Sequence, residues 1–144
     1  MKPDPWRLDR AAYPFSFQIQ TRYRDEDSLR HINNMAIAGF YDEARGRFMK
    51  QIFEDLGPAP WVRIVTADTR VSFLGEVFHP DMLDIGSGIT RIGNASMEIS
   101  QAMFQKGKCV GICTTTFVQA DEKGSSPLSD GLRAILQTYL IKQS

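Results

Sequence analysis

Histidine and cysteine are scarce in this chain, with two of each among 144 residues. His31 and His79 stand far apart, and no HxxxH or HExxH spacing occurs. Neither pattern of ligands that commonly holds a metal is therefore present, and no metal or other cofactor is expected. The cysteines, Cys109 and Cys113, share one strand-like run. At about 3.3 Å per residue they lie roughly 13 Å apart on one face, too far for a disulfide. They read as small buried apolar residues. An excess of charge is also missing, since 17 basic residues balance 17 acidic ones. That balance argues against nucleic acid or an anionic membrane surface as partner. No apolar run approaches the length of about 18 residues that a membrane span needs. The opening Met1-Lys2-Pro3-Asp4-Pro5 has the charge and proline of neither a leader nor an anchor. The expected location is cytoplasmic. A glycine-rich phosphate loop and a serine nucleophile elbow are likewise lacking. Gly86-Ser87-Gly88 falls inside a strand run, where it reads as a bend.

Hydrophobic residues make up 42% of the chain, enough for a packed core in a single domain. Residues 1–14, with three prolines and mixed charge, read as an irregular lead-in to one domain over 15–144. Phe15, Phe17 and Ile19 alternate with polar neighbours, as in a half-buried strand that can run on through Thr21 to Tyr23. From Asn34 the period changes. Ile37, Tyr41, Ala44, Phe48 and Ile52 mark one face of a helix of five or six turns, ended by Gly57-Pro58. Its hydrophobicity predicts burial on more than one side, and close approach to a sheet would give Gly39 a purpose. Asn33 or Asn34 can cap it. Four strand runs follow: 65–73, 83–91, 95–103 and 109–118. Turns at Gly93-Asn94 and Gly107-Lys108 join the last three as antiparallel hairpins. A polar loop over 121–130 and a modest helix through Leu132, Ile135, Leu136 and Leu140 close the chain. With one long helix available, the arrangement that buries its stripe is α+β: a curved antiparallel sheet wrapped around a central helix.

The density of distinct polar chemistry between Arg22 and Asn34 marks the candidate site. Asp27 lies seven residues before Asn34, close enough for the loop to fold back on the helix start. A carboxylate there can attack an activated carbonyl or deprotonate a water. Backbone N–H groups near Asn34 and Met35, at the positive end of the helix, suit an oxygen that gains charge. Asp25 and Glu26 read as solvated loop charges. His31 can orient a carboxylate or brace the loop through a backbone carbonyl. Glu43 stands about 13 Å along the helix from its start, a structural partner that can bond back to the polar loop.

Taken together, Arg22-Tyr23, Asp27, His31-Ile32-Asn33-Asn34 and Phe40-Tyr41-Asp42-Glu43-Ala44-Arg45 resemble the hotdog-fold acyl-CoA thioesterases of the 4-hydroxybenzoyl-CoA thioesterase type. Val71-Ser72-Phe73-Leu74 and the stretch from Ile89 to Ser96 agree, so the likeness covers residues 15–120. The resemblance implies hydrolysis of an acyl-CoA or acyl-carrier thioester to a free acid and a thiol. It implies Asp27 as nucleophile or general base, with the Asn34 amide polarising the carbonyl. It also implies a homodimer or homotetramer with sites at the protomer boundary, and by position Arg91 and Ser96 as contacts to CoA. Two other readings of the same fold stay open: a hydroxyacyl thioester dehydratase using His31, and a non-catalytic acyl-thioester binding protein. The chain departs from the pattern at Arg30, where glycine is usual before the histidine. Ile37 and Gly39 also differ, in a way that would widen an acyl channel.

Overall fold

A computed structural model describes residues 2–143. Strand β1 (Phe15–Ile19) leads into helix α1 (Asn34–Leu56), followed by β2 (Arg63–Phe73), β3 (Leu83–Ile92), β4 (Ser96–Gln105), β5 (Lys108–Asp121), β6 (Gly124–Ser125) and α2 (Asp130–Thr138). The strand order is β1-β3-β4-β5-β2, with β6 added to β5 and every pairing antiparallel. The sheet curves around α1, as expected. The β4–β5 hairpin turns on Lys106 and Gly107, one residue earlier than the sequence suggests. Both have positive φ, which matches the twist of the flanking strands.

One broad face of α1 is buried, not several. Ile37, Tyr41 and Ala44 pack on Leu83, Ile85, Met103 and Cys113 of the sheet. Farther along, Phe48 and Ile52 meet Ile89, Ile99, Leu132 and Leu136, so α2 seals the second half of the helix. The opposite face is solvated. Gly39 makes no close approach: no atom lies within 4 Å of where its side chain would begin.

The first residues are more ordered than an irregular lead-in. Short 3-10 turns at Pro5–Leu8 and Arg10–Ala12 carry Trp6 and Tyr13 onto the outer sheet face, beside Ala102, Phe104 and Ile141. Here Gly86 and Gly88 serve contact, not a bend. A Cβ on Gly86 would lie 2.6 Å from Tyr13 Cβ, and one on Gly88 2.5 Å from Ile141 Cγ1. The two cysteines do not share a face. Cys109 belongs to the outer cluster and Cys113 to the inner one. A bulge opposite Met103 and Phe104 shifts the alternation between them by one residue.

Candidate active site

Strand β1 stops at Ile19, short of Tyr23, because the chain there turns into a 3-10 helix over Tyr23–Asp25. Asp25 causes the turn. Its carboxylate accepts from the Arg22 backbone N–H at 3.0 Å and from the Arg22 guanidinium at 3.1 and 2.8 Å. Asp25 is buried rather than solvated. The Arg22 hydrogen bonds hold its carboxyl below the usual carboxylate range, with burial opposing them.

The loop then closes on itself. Glu26 and Ile32 form an antiparallel bridge, Asp27 N–H donates to the His31 carbonyl at 2.9 Å, and Arg30 N–H donates to the Asp27 carbonyl at 3.1 Å. This is a tight turn followed by a left-handed residue, Arg30, at φ 63°. Arginine thus takes a backbone conformation that glycine reaches without a Cβ penalty. Asp27 Oδ1 accepts from Leu29 N–H at 2.9 Å and His31 N–H at 3.2 Å. Those bonds fix the carboxylate on the loop and leave Oδ2 without a partner among the described residues. Asp27 is exposed in the single chain.

His31 contributes its main chain to Asp27, not its ring. The imidazole Nε2 lies 3.5 Å from Glu76 Oε1, and the ring meets Phe78 edge-on. Ile32 N–H donates to the Val77 carbonyl, which pins the loop to the β2–β3 connection.

The helix cap is Asn33. Its Oδ1 accepts from Ala36 N–H at 2.8 Å, while its backbone and side-chain N–H groups both donate to the Asp25 carbonyl at 2.8 Å. One residue therefore fastens the Asp27 loop to the start of α1. Asn34 and Met35 come next, both exposed, and their backbone N–H groups have no acceptor among the described residues. Two unpaired donors at the positive end of a 23-residue helix can hold an oxyanion.

Beside these donors, a cleft of about 480 Å³ runs between α1 and β1. Phe17, Ile19, Met35, Ala36 and Phe40 line it, and Gly39 leaves its side open. Ile37 takes no part; it is buried in the core. Glu43 stands at the far rim and bonds Arg47 at 3.0 Å instead of reaching the polar loop.

Arg91 and Ser96 are not brought to Asp27 within one chain. They sit at the far ends of β3 and β4, Arg91 about 26 Å by strand rise from Leu83, which pairs with the end of β1 nearest the loop. Sequence reasoning also missed a polar network beneath the helix. Arg45, only 7% exposed, donates to Gln101 Oε1 at 3.0 Å and to Asp42 Oδ1 at 3.3 Å. Gln101 Nε2 in turn donates to the Tyr41 carbonyl and Ser87 Oγ. The available signal was an arginine abutting the apolar stripe and a glutamine in an apolar strand. Among the described residues no group of three or more histidine, cysteine or acidic side chains is placed to hold a metal.

Residues 21–136 match the family model for the thioesterase-like superfamily. No curated protein sequence matches the chain. Among solved structures, a predicted thioesterase from Bacillus stearothermophilus is 23% identical, with a TM-score of 0.79 over 90% of this chain and 98% of its own. A thioesterase from Thermus thermophilus, complexed with coenzyme A and zinc, is 21% identical with a TM-score of 0.78, covering 89% and 95%. A 1,4-dihydroxy-2-naphthoyl-CoA thioesterase from Synechocystis is 13% identical with a TM-score of 0.72, covering 85% and 95%. These likenesses establish the fold as the hotdog.

Proposed function

The chain belongs to the thioesterase-like superfamily, and from that premise we propose that it hydrolyses acyl-CoA thioesters at the Asp27 loop. The observation that carries the residue assignment is the Asn33 clamp. It couples a carboxylate with a free Oδ2 to a helix start with two unpaired N–H donors. The thioester carbonyl oxygen lies over Asn34 and Met35, whose donors stabilise the tetrahedral oxyanion. Asp27 either attacks the carbonyl, giving a mixed anhydride that water opens, or takes a proton from the attacking water. Both routes consume one water and release a carboxylic acid and the CoA thiol. A single turnover in ¹⁸O-water detects an anhydride opened at the Asp27 carbonyl, since label then enters the Asp27 carboxylate and the first product acid is unlabelled; base catalysis leaves Asp27 unlabelled and labels the acid.

A second copy completes the site. Among the described residues β2 has a neighbour on one side only, and its other edge is 11 residues long and open. Such an edge pairs readily with another strand. A two-fold pairing of β2 with its counterpart runs the two sheets in opposite directions. The partner's Arg91 and Ser96 then approach the end of the sheet that carries Asp27, where their positive and hydroxyl groups suit CoA phosphates.

The test is thiol release from short, medium, long and aromatic acyl-CoAs, run beside Asp27→Asn. The expected loss for D27N is about 10²–10⁴ in turnover, the scale of positioned acid–base catalysis. Release unchanged in D27N would remove Asp27 from the mechanism. Binding of acyl-CoA without any release would make the chain a thioester-binding protein.

A further inference from the structure

We propose that the cleft between β1 and α1 holds the acyl tail of the substrate, and that Gly39 sets the length and width it admits. This rests on the thioesterase reading above and adds to it the class of acyl group. Met35 supplies the connection, because its N–H is one of the two free donors while its side chain lines the cleft. A carbonyl held at the helix start therefore has the cleft as the nearest apolar space for its substituent.

The chemistry of the walls selects the occupant. Phe17, Ile19, Ala36 and Phe40 offer apolar contact to a tail, and the cation on the lining, Arg22, is already paired with Asp25 at 2.8 Å. At the distal end Arg47 lies over the Phe17 ring at 5.0 Å and bonds Glu43. Glu43 thus occupies the Arg47 guanidinium, which is left without a free face for a tail ending in carboxylate. From Met35 to Glu43 the cleft follows about 12 Å of helix axis, enough for a medium-length tail of roughly eight to ten carbons. Its volume of about 480 Å³ also admits one aromatic ring.

Gly39 lies midway along this path, with no atom within 4 Å of an added Cβ. Any side chain there projects into the space the tail would use. Gly46 is equally open but lies two turns farther on and outside the cleft. The pair provides a matched experiment, since leucine at either position adds the same bulk to the same helix. Both changes favour helix formation, by about 1 kcal/mol for removing an interior glycine.

Wild type, Gly39→Ala, Gly39→Leu and Gly46→Leu are assayed for thiol release with acetyl-, octanoyl-, decanoyl- and benzoyl-CoA. G39L is expected to lower kcat/KM for decanoyl-CoA at least tenfold and leave acetyl-CoA within twofold, with G39A intermediate and G46L unchanged. An identical chain-length profile in G39L and wild type overturns the proposal. So does a G39L protein that loses its oligomeric mass while keeping that profile, which would make the cleft a contact between copies. If wild type releases no thiol from any acyl-CoA, the function itself fails. The cleft is then judged by binding. S-decyl-CoA, a thioether, should shift the Met35 methyl resonance in methyl-¹³C-methionine protein, and G39L should abolish the shift. An unmoved Met35 resonance overturns the proposal independently of catalysis.

Discussion

The two halves of α1 are built for different work. In the second half Phe48 and Ile52 are fully buried, Phe48 stacks on Phe15 at 5.2 Å and meets Tyr139 edge-on at 5.3 Å, and α2 lies across the outside. In the first half Met35 is 86% exposed, two N–H groups are unpaired, and one flank opens into a cleft. Beneath that half the helix is held by polar bonds from Arg45 and Gln101 rather than by hydrocarbon alone. The lesson is a division of labour along one element. Apolar packing anchors the far end so that the near end can remain open and unsatisfied.

That contrast can be broken from the anchored side. Phe48→Ala should cost about 3–5 kcal/mol in denaturant unfolding, the range for emptying a buried aromatic site. Where the variant is still folded, its thiol release should stay near wild type. A large loss of activity at full folding would show that the two halves are not separable.

From the open side the balance should invert. Asn33→Ala removes a helix cap and is expected to cost only about 1 kcal/mol of stability. It also removes one of the two bonds that tie the Asp25 carbonyl to the helix start, so the loss in kcat should exceed what that stability change explains. Equal small losses in both measurements would reduce Asn33 to an ordinary cap.

The smallest effect concerns the latch at the sealed end, where Tyr139 Oη donates to Asp55 Oδ2. The hydrogen bond to Asp55 pushes the tyrosine up to about 12 from 10.0, and the same bond with one from Gln51 holds Asp55 below its ordinary value. The tyrosine's contribution is complete below pH 10.0 and fades as pH rises toward about 12. The carboxylate's contribution is present above the ordinary carboxylate range and fades as pH falls through the depressed value. Tyr139→Phe should flatten both limbs of a stability–pH profile. In Asp55→Asn the phenolate absorbance should appear nearer pH 10.

Much of this arrangement was legible in the residues. The spacing from Ile37 to Ile52 gave α1, and alternation with turn glycines gave the hairpins. Bonds between distant residues were not legible. Asp25 looks solvated in a run of charges, and only the fold of the Arg22 turn buries it. The cysteine spacing implied one face because a bulge of one residue leaves no mark on composition. Gly39 invited a packing explanation, whereas its neighbourhood is open space. For the site, the Asp27 to Asn34 interval was visible from spacing and resemblance. The Asn33 clamp required geometry, whereas the departure from glycine at Arg30 was visible in the resemblance and the structure shows it as a left-handed residue.

The covering of the outer sheet face has its own consequence. With Trp6, Tyr13 and Ile141 seated there, that surface is already spent on the chain's own leading and trailing segments. Another molecule is left with the strand borders and the helix flank as ground to settle on. Enlarging either glycine under this roof would pry up the covering segments and bare a greasy back.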